Sequence, residues 1–181
     1  MAAPPGPASV APPQADPFPA AADFVIDRLE GGDLLIHDTG GYTRWGISER
    51  AHPGEDIQHL TRERAVQIYH DSYWLPVGAD QLPPALALCV FDAGVNQGPT
   101  LAVQMLQRVL RVPEDGRMGS KTLAAVRRFT PASELRALYN EHRLAVYEAL
   151  AGTKPVYRPS LHGWRCRVMR LADEAGAWGK A

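Results

Sequence analysis

Three oxygen-bearing side chains, Glu30, Asp38 and Thr43, fall in the short stretch Leu29-Glu30-Gly31-Gly32-Asp33-Leu34-Leu35-Ile36-His37-Asp38-Thr39-Gly40-Gly41-Tyr42-Thr43. Two carboxyls and a hydroxyl are the minimal set for cleaving a glycosidic bond with water. One acid protonates the leaving oxygen, a second carboxylate activates water or stabilises an oxocarbenium-like transition state, and a hydroxyl holds the water. Taken singly, each residue has a plainer role. A glutamate at a helix end is usually solvated, an aspartate before a Thr-Gly-Gly turn bonds its own backbone, and a threonine among apolar residues belongs to a strand. Their combination is what points to chemistry.

The elements that must position these groups can be read from the pattern around them. Phe24, Val25 and Leu29 share one face, which predicts a helix over 20–31, stopped by Gly31-Gly32 because glycine enters the left-handed region at no steric cost. Glu30 then sits in the last turn, where the negative end of the helix dipole mildly disfavours a carboxylate. Residues 33–47 read as a hairpin, Leu34–Ile36 against Tyr42–Ile47, joined at Thr39-Gly40-Gly41. Alternation sets the Thr43 hydroxyl opposite to the aromatic Tyr42, with the aromatic Trp45 two residues on. Those two aromatics are candidates to stack on a sugar ring or to desolvate the acid; filling the core is the alternative.

Farther on, Thr61 caps a helix that puts Ala65, Ile68, Tyr69 and Tyr73 on one side. Leu82-Pro83-Pro84 opens the most apolar helix, 85–98, which should run through the middle of the fold. Two polar residues on it, Asp92 and Asn96, are four apart on one face and must be paired or face a cleft. Asp92 is expected to hold backbone or a neighbouring arginine, and Asn96 to contact an N-acetyl group or the attacking water. An amphipathic helix over Pro99–Leu110 follows, then an Asp115-Gly116 turn, a helix capped by Ser120, and two more helices, 132–150 and 161–175.

The order Glu-Gly-Gly, then Asp-x-Gly-Gly-x-Thr-x-x-Gly-Ile, resembles the N-terminal catalytic signature of glycoside hydrolase family 108, phage and bacterial N-acetylmuramidases. The Glu, Asp, Thr order is also similar to the catalytic triad of phage lysozymes. Asp33 stands where the family has an aromatic. The Phe-Asp-x-x-Val-Asn-x-Gly run at 91–98 looks like the family's cleft-lining helix. Asp-Gly-x-x-Gly-x-x-Thr at 115–122 resembles an element of peptidoglycan-binding domains, and Gly163-Trp164-x-x-Arg167-Val168 is similar to the family's end motif. The resemblance covers about 24–175. It implies a mainly α, lysozyme-like fold with one small hairpin and a C-terminal helical region. It further implies hydrolysis of the β-1,4 link between N-acetylmuramic acid and N-acetylglucosamine, with Glu30 as acid and Trp164 and Arg167 contacting glycan or stem peptide.

Composition fits that expectation. The chain has 181 residues and is 45% hydrophobic, enough for a core. Its net charge of −1 hides an asymmetry. Residues 1–100 carry 5 Lys and Arg against 13 Asp and Glu, a net of −8; residues 101–181 carry 14 against 7, a net of +7. The halves either meet different parts of a polyanionic wall polymer or attract each other. Nucleic acid would fit the charge, but the arginines lack interleaved stacking aromatics. Two cysteines make no disulfide framework, Cys89 reading as a buried apolar thiol, and the six histidines show no metal-ligand spacing, so neither cofactor nor metal is expected.

Residues 1–20 hold seven prolines and six alanines and read as a flexible arm, either loose or docking a partner such as a virion protein. With no basic n-region before Arg28 and no long apolar run, a signal peptide and membrane insertion are not expected; the protein would be made in the bacterial cytoplasm and reach the wall on release or in a virion-like particle. The expected layout is an arm at 1–20, a catalytic domain at 21–98 and a peptidoglycan-binding region at 99–181. The alternative is a wall-binding or structural particle component without catalysis.

Overall fold

The computed structural model describes residues 16–38 and 41–179. The class is mainly α with one small sheet, as expected. Helix α1 spans Phe18–Asp23 and runs straight into a wider, π-type turn at Phe24–Leu29. Pro19 lies in the first turn, where its missing N–H costs nothing. Phe18 is buried, its ring within 4.8–6.2 Å of the His70, Trp74 and Phe91 rings. The helix therefore begins at Phe18 rather than at 20, and the last three residues of the expected arm are folded. Residues 1–15 lie outside the described residues.

A three-stranded antiparallel sheet follows, in the order β1 (Ile36–Asp38), β2 (Gly41–Arg44), β3 (Ile47–Ser48). The expected single hairpin is thus corrected: its second arm breaks at Trp45-Gly46, and the β1–β2 corner at Thr39-Gly40 lies outside the described residues. Arg44 pairs with Ile47 across a two-residue loop in which Trp45 (φ 54) and Gly46 (φ 74) are both left-handed. That is the backbone a type I′ turn requires, and it matches the twist of the flanking strands.

Thr61 caps α2 (Arg62–Tyr69), accepting from the Arg64 N–H, and a second π-type turn, His70–Trp74, extends the helix. Helix α3 (Pro84–Gln97) opens on Pro84 and is buried continuously from Leu86 to Gly94. It lies at the centre, packed by α4 (Pro99–Leu110), α6 (Ala132–Thr153) and α7 (Ser160–Trp178). Each fully buried side chain such as Leu88 or Phe91 contributes roughly 1.5–3 kcal/mol relative to exposure. Helix α5 (Ser120–Arg128) is capped at Gly119, with Ser120 as its first residue; the expected Ser120 side-chain cap does not form. Gln107 anchors the preceding Asp-Gly loop instead, its amide N–H₂ donating to Asp115, Arg117 and Thr122 oxygens and its oxygen accepting the Gly116 N–H. One apolar core runs from Phe18 and Val25 to Leu135, Leu171 and Ala175. No helix among the described residues is long and apolar enough to cross a membrane.

Candidate active site

Glu30 closes the wide turn after α1. Its N–H donates to the Val25 carbonyl at 2.9 Å, and the Gly32 N–H reaches back to Ile26 at 2.9 Å, one residue farther than in an ordinary helix end. Gly31 (φ 86) and Gly32 (φ 67) reverse the chain immediately afterwards, a pair of conformations costly for any other residue. Wide turns of this kind recur at functional sites.

The hairpin lies over the acid. A Cβ added at Gly46 would fall 2.5 Å from the Tyr69 hydroxyl and 2.6 and 2.8 Å from Glu30 Cγ and Cβ. Bare backbone therefore packs directly on the glutamate stem. Tyr69 donates its hydroxyl to the Trp45 carbonyl at 3.0 Å, and the Trp45 indole N–H donates to the Leu60 carbonyl at 3.0 Å. Trp45, a sugar-stacking candidate in the sequence, is thereby tied into the loop as an anchor. Burial, and then the Glu30 charge, raise the Tyr69 hydroxyl well above its ordinary pKa, which keeps it a donor; Tyr73 is raised for the same two reasons. Tyr73 also meets His52 Nε2 at 3.0 Å, and burial lowers that imidazole's pKa.

From the interior a cation faces Glu30. Arg167 Nη2 sits 2.7 Å from Glu30 Oε1, with the two side chains 11% and 19% exposed. The same guanidinium forks onto Asp92, Nη2 to Oδ1 at 2.6 Å and Nε to Oδ1 at 2.9 Å. Asp92 also takes Arg143 Nη1 at 2.7 Å; both of those side chains are completely buried. Arg143 donates to the Tyr147 hydroxyl, which donates to Asn96 Oδ1 at 2.6 Å. Burial opposes charge on Asp92, but Arg167 and Arg143 overcome it and hold its carboxyl below the usual carboxylate range. Burial likewise works against Arg167, and Asp92 and Glu30 raise its pKa above the ordinary value.

Asp92 thus pairs with arginine as expected. Arg167, a glycan or stem-peptide candidate in the sequence, is held by two carboxylates through Nε and Nη2, and it also lines the depression that Asn96 and Trp164 share. The helix dipole expected to act on Glu30 is accompanied by this direct ion pair. Asn96 and Trp164 come together with Leu29 in a depression of about 320 Å³ also lined by His162, Cys166, Arg167 and Arg170. Trp164 stacks on Tyr147, centroids 4.6 Å apart and planes at 20°.

In the sheet, Ile36 pairs with Thr43, His37 with Tyr42 and Asp38 with Gly41. Period-two alternation then puts Asp38 and Thr43 on one face and Tyr42 and His37 on the other, as expected for Thr43 and Tyr42. Tyr42 and His37 stack at 4.3 Å. Asp33 forks onto Arg44, at 2.5 and 3.1 Å, and Arg44 also donates to the Gln58 carbonyl, tying the strand to the loop before α2. Among the described residues no cluster of His, Cys, Asp and Glu could hold a metal ion.

Sequence reasoning missed Gly46, Tyr69, Tyr73, His52 and Arg143 as parts of the site. One signal was available for Arg143: a cation spaced four residues from both Tyr139 and Tyr147 on one helical face, matching a lone acid on α3.

The sequence profile of the family described as Glycosyl hydrolase 108 matches residues 24–98, and that of the Predicted Peptidoglycan domain matches residues 101–169. Among solved structures, SagA of Brucella abortus is similar at 31% identity and a TM-score of 0.75, over 91% of this chain and 96% of that one. No curated protein matches the sequence.

Proposed function

Because this chain belongs to the glycosyl hydrolase 108 family and is a glycoside hydrolase acting on peptidoglycan, we propose that it cleaves the β-1,4 bond between N-acetylmuramic acid and N-acetylglucosamine, with Glu30 as general acid. The observation that carries this reading is the setting of Glu30: a mostly buried carboxyl, roofed by Gly46 and held by a guanidinium that itself lines the Asn96–Trp164 depression. A group so restrained can meet a glycosidic oxygen in one orientation, which is where positioned acid catalysis gains its rate.

Asp38 and Thr43 share a sheet face and serve the water side of the reaction, Asp38 as base or charge stabiliser and Thr43 as the hydroxyl that orients the water. Asn96 and Trp164 contact an N-acetyl group and a sugar face; Tyr42 presents a second aromatic from the hairpin. The role of Asp38 is decided by the product anomer, since retention requires a carboxylate nucleophile and inversion a base acting through water.

The test compares the intact protein with Glu30→Gln on purified sacculi, following turbidity and released reducing ends. A folded variant that has lost both signals supports the assignment; a fully active variant sinks it. A second reading, attachment to the wall without cleavage, draws on the match of residues 101–169 to a peptidoglycan domain. It requires that the wild-type protein sediment with sacculi and release no reducing ends.

A further inference from the structure

Glu30 lies in the segment matched by the glycosyl hydrolase profile, whereas Arg167, which ion-pairs with it, lies in the segment matched by the peptidoglycan profile. The geometry points to Arg167 as the positioning residue of Glu30 in the cleavage step, braced by Asp92 and Arg143, so that the C-terminal helices act in hydrolysis itself and not only in wall attachment. The inference rests on the reading of Glu30 as general acid.

Three observations carry it. First, the guanidinium is planar and its donors are fixed relative to one another. Its fork onto Asp92 therefore sets where the guanidinium meets Glu30. Second, Asp92 cannot turn. It is completely buried on the central helix, and its other oxygen takes Arg143 from α6, which is itself held by the Tyr147 hydroxyl. Third, stability alone gives a poor reason for three buried charges, because well-packed apolar side chains of similar size are commonly as stable or more so. What such a lattice supplies is one fixed orientation. Glu30 needs it, because it ends its helical turn and is followed by two left-handed glycines.

The contacts also distinguish the two carboxyl oxygens. Arg167 occupies Oε1, which leaves Oε2 to carry the proton to the glycosidic oxygen. The charged and titratable groups facing Glu30 are Arg167 from α7, Asp92 of α3 behind it, and Tyr69 and Tyr73 from α2 and its extension; the β2–β3 loop contributes the Gly46 backbone.

The test uses the full chain with Arg167→Lys and Arg167→Gln, measuring kcat and KM by reducing-end release and wall binding by sedimentation with sacculi. Arg167→Lys keeps a positive charge for Asp92 but loses the planar fork. It should fold and bind sacculi as the wild type does, with KM within about twofold and kcat lower by roughly tenfold or more. Arg167→Gln removes both the charge and the fork, so its kcat should fall at least as far as that of Arg167→Lys. Wild-type kcat in Arg167→Lys would overturn the proposal. So would a fall in kcat matched by an equal loss of sedimentation, since the C-terminal helices would then be only a tether. Should Arg167→Gln fail to fold, Arg167→Lys decides alone. Glu30→Gln in parallel separates the two inferences: if active, it ends the acid assignment, and if inactive beside a fully active Arg167→Lys, it ends the positioning role only.

Discussion

The two sides of the site are built by opposite means. On the interior side, Asp92, Arg143 and Arg167 form a buried lattice across α3, α6 and α7 that grips one oxygen of Glu30. On the outer side, Asp38, Thr43 and Tyr42 ride on a three-stranded sheet whose first strand is exposed along its whole length. Charge fixed in a dry interior is costly to disturb, whereas side chains on a thin sheet can change with little effect on folding. The acid is thus placed by the fold, and the groups serving the other half of the reaction are left adjustable. Gly46 is where the two sides touch.

The sharpest way to break this contrast is to remove one interior cation. Arg143→Met leaves Asp92 with a single partner at a site of no exposure, so urea unfolding should show a loss of about 3–5 kcal/mol. On the sheet, Tyr42→Ala loses the stack on His37 and a partly buried packing at the edge of the core, and should cost about 1 kcal/mol. Equal losses would dissolve the distinction.

At the junction, Gly46→Ala combines a left-handed backbone with a Cβ placed against Glu30 and Tyr69. About 1–3 kcal/mol of stability should go, and kcat should fall on the order of a hundredfold as the acid is displaced. Thermal melts and reducing-end assays on one preparation would measure both.

The interior should also reveal itself at acid pH. The Asp92 pKa is lowered on folding, so its contribution to stability is complete above the unfolded value near 3.9 and disappears as pH falls through the folded value. Wild type should melt well above Asp92→Asn at neutral pH, and the gap should close progressively below about pH 4. A gap that stayed constant with pH would mean that the lattice does not stabilise through charge.

The smallest effect concerns thiols. Burial pushes Cys89 up to about 12, whereas Cys166 is only half-buried. A thiol reagent at neutral pH should therefore modify Cys166 promptly and Cys89 only after denaturant is added. Two fast thiols would show that the core around α3 opens readily.

Much of this was legible in the sequence. The apolar run around Asp92 at 85–94 marked a central helix, and Asp92 on it had to be paired or face a cleft. Gly31-Gly32 after an apolar face placed Glu30 at a helix end, and Thr61 marked a cap. The misreadings share a cause. Trp45 was read as a strand residue because alternation carries no mark of where a ladder ends, and the partners of Arg167 went unread because a basic helix says nothing of which carboxylates lie opposite. The helix start slipped to 20 because seven prolines in the first twenty residues masked Phe18 as a core residue.

By itself the sequence determined the elements and their chemistry, since periodicity, capping and turn residues act within a few positions of one another. Only the tertiary structure decided the company Glu30 keeps: Gly46 sixteen positions away, Tyr69 beyond that, and Arg167 near the far end of the chain. Partners at such separations are chosen when α3 buries its apolar surface against α6 and α7 and Asp92 is carried into the interior with it. A buried carboxylate must then find its cations wherever the packing brings them.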